Sequence, residues 1–371
     1  ENIGAKDYDL KDKSILVIGD NSKAVGDVCQ YFKKISSDVG EFVFEKCISS
    51  KELEERIINC KDLINKTDVI IDCGHLGETY EFQKLTYESE KEILQLNGLT
   101  RFIFYKKLSQ IRPDPALRII CTVFADGCFG FSSDENLKLN PYYGALCGFY
   151  KGLRKEFGKS KVKIVDLCEK NSLNLDEDVL EKIHDELEES SSLYEVGYVD
   201  DKRVTLKLDN VDRKDMTAVE KFDSNHFVIT GGGNGITAGI VHEISRRFKV
   251  KLTIVGRTVL PPNIEELSKL DESSLEQKKN EIYDKLKREG KKATPVEVQN
   301  EYNKLNKAIS VYKLLNDIRK NGCDVRYYSC DVRNHEGLKE VLNAAVANFG
   351  PVNVVIHGAG IEKSRLIGQK T

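Results

Sequence analysis

The 371 residues contain no apolar run longer than a strand, no Cys-x-x-Cys pair and no surplus of basic over acidic side chains. Trp is absent, Met occurs once and Pro seven times. Each absence excludes something. Stretches such as Val69-Ile70-Ile71 fall far short of the roughly 18 to 20 apolar residues of a membrane span, so no membrane partner is expected. With 57 Lys and Arg against 60 Asp and Glu, the net charge is −3, and the basic footprint of a nucleic-acid binder is missing. The ten cysteines, at 29, 47, 60, 73, 121, 128, 147, 168, 323 and 330, are scattered. Their spacing supports neither a zinc site nor a redox pair, so no metal is expected. Cys73, Cys121 and Cys330 sit inside apolar runs, where a reduced thiol acts as a small hydrophobe, and a cytoplasmic setting follows. The chain opens on Glu1 with no signal peptide, which predicts a piece of a longer polypeptide.

What is present is enough apolar residue, 40%, for a large core, and a length that suggests two or three domains. Short apolar runs alternate with amphipathic helical patterns, the signature of βαβ units. In the first half the runs are 14–19, 42–47, 68–74, 117–124 and 161–167. Helical patterns lie between them at 24–35, 52–64 and 143–157. Asp200-Asp201 marks a hairpin with strands at 194–199 and 203–208. The polar stretch 209–225 reads as a boundary between lobes 1–220 and 221–371. The pattern then restarts with strands at 227–230, 251–256, 324–330 and 352–356. The expected fold is α/β, with two Rossmann-like lobes built on parallel sheets, the second incomplete. The shared strand, turn, helix order suggests an internal duplication.

One stretch exceeds a plain repeat. The first strand pair of the second half spans 26 positions from Thr230 to Gly256, but the next spans 74 from Arg257 to Asp331. A βαβ unit takes about 30. The excess, at about 261–320, holds 13 basic and 11 acidic residues and reads as a solvated helical hairpin on the surface. A docking or oligomer contact is the alternative.

The chemistry concentrates in Thr230-Gly231-Gly232-Gly233-Asn234-Gly235-Ile236-Thr237, which follows a strand and opens a helix. Glycines let the backbone turn sharply and approach a pyrophosphate, while the helix start offers free N–H groups and a positive dipole end. NAD binders carry a carboxylate about 20 residues on, for the ribose hydroxyls. Here the second strand ends Gly256-Arg257-Thr258. A guanidinium there suits a 2′-phosphate, with Thr258 adding a hydroxyl, which predicts NADPH over NADH. Asp331-Val332 ends the third strand, where a carboxylate can accept from the adenine amino group. His357-Gly358-Ala359-Gly360 ends the fourth, with small residues against which a ribose can lie and a histidine expected to point into the fold.

These motifs, in this order on successive strands, resemble a short-chain dehydrogenase/reductase. More narrowly they resemble the ketoreductase domain of polyketide and polyunsaturated-fatty-acid synthases, including the variant of large iterative synthases with a helical insertion after 256–258 and an ending like 366–371. The resemblance implies cofactor contacts from Gly231, Gly233, Gly235, Ile236, Arg257, Thr258, Asp331, Val332, Gly358 and Ala359. It implies NADPH-dependent reduction of a β-ketoacyl thioester carried by an acyl carrier protein domain, among other synthase domains. It also implies that the first lobe is a degenerate, non-binding one that braces the second. The residues agree: its turn, Gly19-Asp20-Asn21-Ser22-Lys23-Ala24-Val25-Gly26, keeps two glycines and places Asp20 where a pyrophosphate would lie.

The family's Ser, Tyr and Lys lie downstream of the motif matched by 357–360, and this sequence ends eleven residues after Gly360. No catalytic residue is therefore assigned, and the fragment by itself is expected to be inactive. Tyr-x-x-x-Lys does occur at Tyr80/Lys84, Tyr87/Lys91 and Tyr283/Lys287, but in charged helical stretches where chance explains it. A Leu-Asp-Asp stereochemical marker is absent from 361–365, which leaves the hydroxyl configuration open. A sheet cut after four strands exposes an apolar edge, so 221–371 alone is expected to be unstable. A non-catalytic dinucleotide-binding or scaffolding module remains the rival reading, and an extended dehydratase or epimerase a third.

Overall fold

The computed structural model describes residues 4–45, 48–74, 85–132, 142–168, 175–210, 222, 224–360 and 364–370. Cys47, Tyr80, Lys84, 361–363, Thr371 and most of the boundary 209–225 lie outside the described residues. The chain forms two compact units, Glu1–Asn210 with Ser364–Thr371, and Val211–Lys363.

In the first unit, strands β1 (Ile15–Gly19), β2 (Val39–Val43), β3 (Val69–Asp72), β4 (Arg118–Val123), β5 (Lys161–Asp166), β6 (Glu195–Val199) and β7 (Lys202–Thr205) form one sheet. The order is β2-β1-β3-β4-β5-β6-β7. Every pairing is parallel except the last, which turns back at Asp200 and Asp201, both at positive φ. Asp tolerates that conformation because its short side chain bonds locally. Strands β1, β3 and β4 are buried at every position, as parallel strands flanked by helices must be.

The helices are α1 (Ser22–Phe32), α2 (Ser50–Asn59), α3 (Lys61–Lys66), α4 (Tyr87–Leu94), α5 (Thr100–Ile111), α6 (Tyr142–Glu156) and α7 (Glu177–Glu188). The pattern read as one helix over 52–64 breaks at Cys60 (φ −93°, ψ 14°), although Leu53, Ile57 and Ile64 still face the core. Five residues of wider π-helical turn, Gln95–Leu99, lead into α5. The short segment 364–370 joins this unit: Ile367 is buried in its core, and Gln110 Nε2 donates to Gly368 O at 3.0 Å.

In the second unit, β8 (His226–Thr230), β9 (Lys251–Gly256), β10 (Asp324–Ser329) and β11 (Val354–His357) form an all-parallel sheet in the order β10-β9-β8-β11. Counted within the unit this is 3-2-1-4, the first four strands of the 3-2-1-4-5-6 order of a dinucleotide-binding sheet. The first unit instead runs 2-1-3-4-5. The suggested duplication therefore extends to the local strand, turn, helix order but not to the order of strands. β11 pairs with β8 along one side, and its Val355 is 67% exposed.

The helices here are α8 (Gly235–Arg247), α9 (Ile264–Ser268), α10 (Glu272–Arg288), α11 (Pro295–Lys320) and α12 (His335–Phe349). α11 starts on a Thr294/Glu297 capping box with Pro295 in the first turn. It is not wholly a surface hairpin, however. Ala308 and Ile309 pack with Ile264 of α9, whereas Val311, Leu315 and Ile318 enter the core beneath the sheet with Ile254 and Val325. The last turns of α11 are thus the ordinary crossover helix between β9 and β10, and the extra material is α9, α10 and the first half of α11. α10 fits the solvated reading, since Leu286 is its buried residue.

Candidate dinucleotide site

Of the ten residues singled out by sequence, eight lie in the turns just beyond the carboxyl ends of β8, β9, β10 and β11, and Gly235 and Ile236 form the first turn of α8. Strand order reverses between β8 and β11, and an open α/β sheet binds ligands in the crevice at such a switch point. Gly231 leaves β8 at φ +74°, and a Cβ there would meet Gly358 O at 2.5 Å and Ala359 N at 2.7 Å. Reciprocally, a Cβ on Gly358 would lie 2.3 Å from Thr237 Oγ1. The two turns therefore close against each other through bare backbone, tied by Gly358 N donating to Thr230 O at 2.9 Å and Ala359 N to Thr230 Oγ1 at 3.3 Å. Gly235 (φ +68°) opens α8 with nothing near its missing Cβ, and Ile236 beside it is 87% exposed.

The start of α8 is unfilled. Its N-cap residue Asn234 makes no side-chain capping bond, so the first N–H groups of the helix remain available to an anion. A side-chain-free cradle beside an uncapped helix start is the shape a pyrophosphate requires, and the residues present fit a dinucleotide.

Arg257 is exposed immediately past β9. Thr258 presents its carbonyl to Tyr327, whose hydroxyl donates to it at 2.8 Å. The Tyr327 ring lies under the Gly-rich turn: a Cβ on Gly233 would meet its edge at 3.6 Å, and one on Gly256 would meet its hydroxyl at 2.9 Å. One half-buried aromatic thus supports two of the glycine turns. No sequence motif pointed to Tyr327, which sits unremarked in the run Val325-Arg326-Tyr327-Tyr328.

Asp331 and Val332 are half-buried past β10. Arg333 binds the Asp331 carboxylate through Nη2 at 2.8 Å and Nε at 3.1 Å, and its backbone N–H donates at 3.0 Å. These bonds hold the Asp331 carboxyl down at about 2, with Arg257 adding a Coulombic contribution. His357 departs from expectation. It is exposed rather than turned inward, and its Nδ1 pairs with Thr230 Oγ1 at 2.7 Å. The inward histidine is His226, held between Gly350 O and Thr253 Oγ1 at the opposite end of β8.

Tyr283 and Lys287 lie together on α10, the ammonium 4.5 Å from the ring centroid, and Tyr87 on α4 is 76% exposed. Neither pair is on a strand end.

The first unit treats the same location in the opposite way. Its sheet reverses between β1 and β3, and there Arg101 of α5 is completely buried. Its guanidinium grips Asp72 through Nε at 2.8 Å and Nη2 at 3.1 Å, and reaches Leu96 O, Gly74 O and, at 3.9 Å, Asp20. Burial opposes its charge, but Asp72 and Asp20 together hold the guanidinium above its ordinary pKa. The Tyr150 hydroxyl donates to Asp72 and lies 3.2 Å from that of Tyr105. The start of α1 is closed as well, since the Asn21 side chain accepts from Lys23 N and Ala24 N. Side chains fill the crevice that the second unit leaves open.

A Gly-rich turn at a 3-2-1-4 switch point defines a Rossmann-like unit, carried in one chain with a second α/β unit whose crevice is filled. The family model for the KR domain matches residues 225–371. Among solved structures, an N-terminal ketoreductase from a macrolactin assembly line matches with a TM-score of 0.62 at 14% identity, covering 99% of this chain and 65% of that one. A multidomain structure of a keto acid-selecting NRPS module, with adenylation, ketoreductase and pseudo Asub domains, matches at 0.63 and 14%, covering 100% and 28%. A-type ketoreductases from a modular polyketide synthase match at 0.59 and 12%, covering 100% and 66%. The likeness to these structures is one of fold, and the chain spans just under two thirds of the first. No curated protein matches the chain. The KR-domain model thus matches the second part of the chain, and the fold as a whole is that of polyketide-synthase ketoreductases.

Proposed function

We propose that the second unit binds NADPH and that, within a longer synthase polypeptide, it serves the reduction of a β-ketoacyl thioester on an acyl carrier protein domain to the β-hydroxyacyl form. The observation that carries this reading is the bare-backbone cradle of Gly231 and Gly358 beside the uncapped start of α8, with Arg257 at the end of β9. Gly231, Gly233, Gly235 and Ile236 would hold the pyrophosphate side. Arg257 and Thr258 would take the 2′-phosphate, Asp331 and Val332 the adenine, and Gly358 and Ala359 the nicotinamide ribose. The bound cofactor supplies hydride, while this chain's residues bind and orient it. The functional division follows a structural lobe 1–220 and a cofactor lobe from 221 onward, in a cytoplasmic synthase of polyketide or fatty-acid type. Among the described residues no helix is long and apolar enough to cross a membrane. Residues 1–371 by themselves bind NADPH without reducing the substrate.

Titrating the chain with NADPH and NADH tests the reading. Arg257→Ala is expected to weaken NADPH by about 2 kcal/mol, roughly thirtyfold, with NADH nearly unchanged. Added salt should weaken NADPH more than NADH. Wild-type binding of NADH as tight as NADPH would sink the assignment.

A further inference from the structure

Arg257 lies just past the end of β9, and Asp331 just past the end of β10, its hydrogen-bonded neighbour in the sheet. The register pairs Gly256 with Ser329, and Cys330 N donates to Gly256 O at 2.9 Å, so the two turns leave the sheet side by side. Adjacent strands are about 4.8 Å apart. A 2′-phosphate placed on Arg257 carries about −1.5 to −2 charges near neutral pH. An uncompensated carboxylate one strand away would repel that phosphate and compete with it for Arg257. Asp331 is not uncompensated. Arg333 wraps back over it with two guanidinium nitrogens within 2.8–3.3 Å of both carboxylate oxygens, and its own backbone N–H closes the turn on Oδ1. The side chain of Arg333 is 82% exposed and makes no other ion pair among the described residues. Arg257 is left without an ion-pair partner within 4 Å among them, free for the phosphate.

Building on the NADPH reading, we propose that Arg333 is a specificity-determining positioning residue. By neutralising Asp331 it keeps the neighbouring strand end from repelling the 2′-phosphate, and so sets the preference for the phosphorylated cofactor without touching it. The chemistry predicts a selective effect. Neutralising Asp331 matters to the cofactor that carries the extra phosphate and leaves the unphosphorylated one nearly indifferent.

The test is the ratio of the NADH to NADPH dissociation constants, measured by nicotinamide fluorescence at low salt on the full chain. Four forms are compared: wild type, Arg333→Gln, Asp331→Asn and the double variant, with melting curves confirming that all are folded. Arg333→Gln is expected to lower the ratio about fivefold, the scale of an exposed charge interaction. The double variant should restore it to within about twofold, because no carboxylate remains to be shielded. Arg333→Lys should hold an intermediate ratio. If Arg333→Gln weakens both cofactors equally, or if the double variant stays as poor as Arg333→Gln, the proposal is overturned. The cofactor reading itself fails differently, by a wild-type ratio of one or less, and would take this inference with it.

Discussion

Replacing Arg101 by methionine is expected to cost the first unit about 3–5 kcal/mol, the loss typical of breaking a buried ion pair from one side. The physical reason is the company it keeps. Asp72 is fully buried, and its two oxygens take two guanidinium nitrogens, the Tyr150 hydroxyl and the backbone N–H of Gly74. Without Arg101 the carboxylate of Asp72 stays in an apolar crevice, Gly74 O loses the guanidinium donor, and Leu96 O is left with the Thr100 hydroxyl. Methionine keeps most of the volume, so cavity formation adds little. The measurement is urea unfolding followed by circular dichroism. A second variant isolates the cause: Arg101→Met with Asp72→Leu removes both charges and should recover much of the loss, as fully apolar replacements of buried ion networks do. A single-variant loss below 1 kcal/mol would show that the crevice is wet and the network dispensable.

The second large effect belongs to the other unit. Gly231→Ala is expected to reduce NADPH affinity by at least about a hundredfold and to destabilise the unit by about 2 kcal/mol or more. A left-handed backbone already costs an L-residue about 1–2 kcal/mol. Here the new methyl also meets the backbone of Gly358 and Ala359 rather than a side chain that could rotate away. Relief requires the ends of β8 and β11 to separate, which opens the cradle itself. Gly235→Ala is the control, with a similar φ of +68° and nothing within 4 Å of the added carbon. Its melting temperature should fall by clearly less. Equal losses for the two variants would mean that strain alone, and not the contact with Gly358, decides the outcome.

Much of this was legible in the residues. The β8–α8 turn follows from local chemistry, because glycine, a following helix start and a strand before it are written within eight consecutive positions, 230–237, and Arg257 likewise sits directly after the apolar run 251–256. The degenerate character of the first lobe was legible in Asp20 and in the missing glycines, but its cause was not. Arg101 is 29 residues from Asp72 and 81 from Asp20, and nothing in a helix reading Thr100-Arg101-Phe102-Ile103 announces that its arginine turns inward. Tyr327 and the Arg333 clasp escaped for the same reason, since neither belongs to a repeating pattern.

The sequence by itself determined that this is an α/β chain with one glycine-rich strand-to-helix turn and one that keeps only two glycines, because turn chemistry and hydrophobic period are properties of neighbours along the chain. Only the tertiary structure decided that the two sheets are wound in different orders. It also showed that the last turns of the expected insertion, the second half of α11, are really the crossover helix, and that Ile367 returns to the first unit's core. Strand order, a helix shared between insertion and core, and a buried guanidinium all depend on which distant surfaces exclude water together. That competition is settled by packing across the fold, and no local stretch of residues carries it.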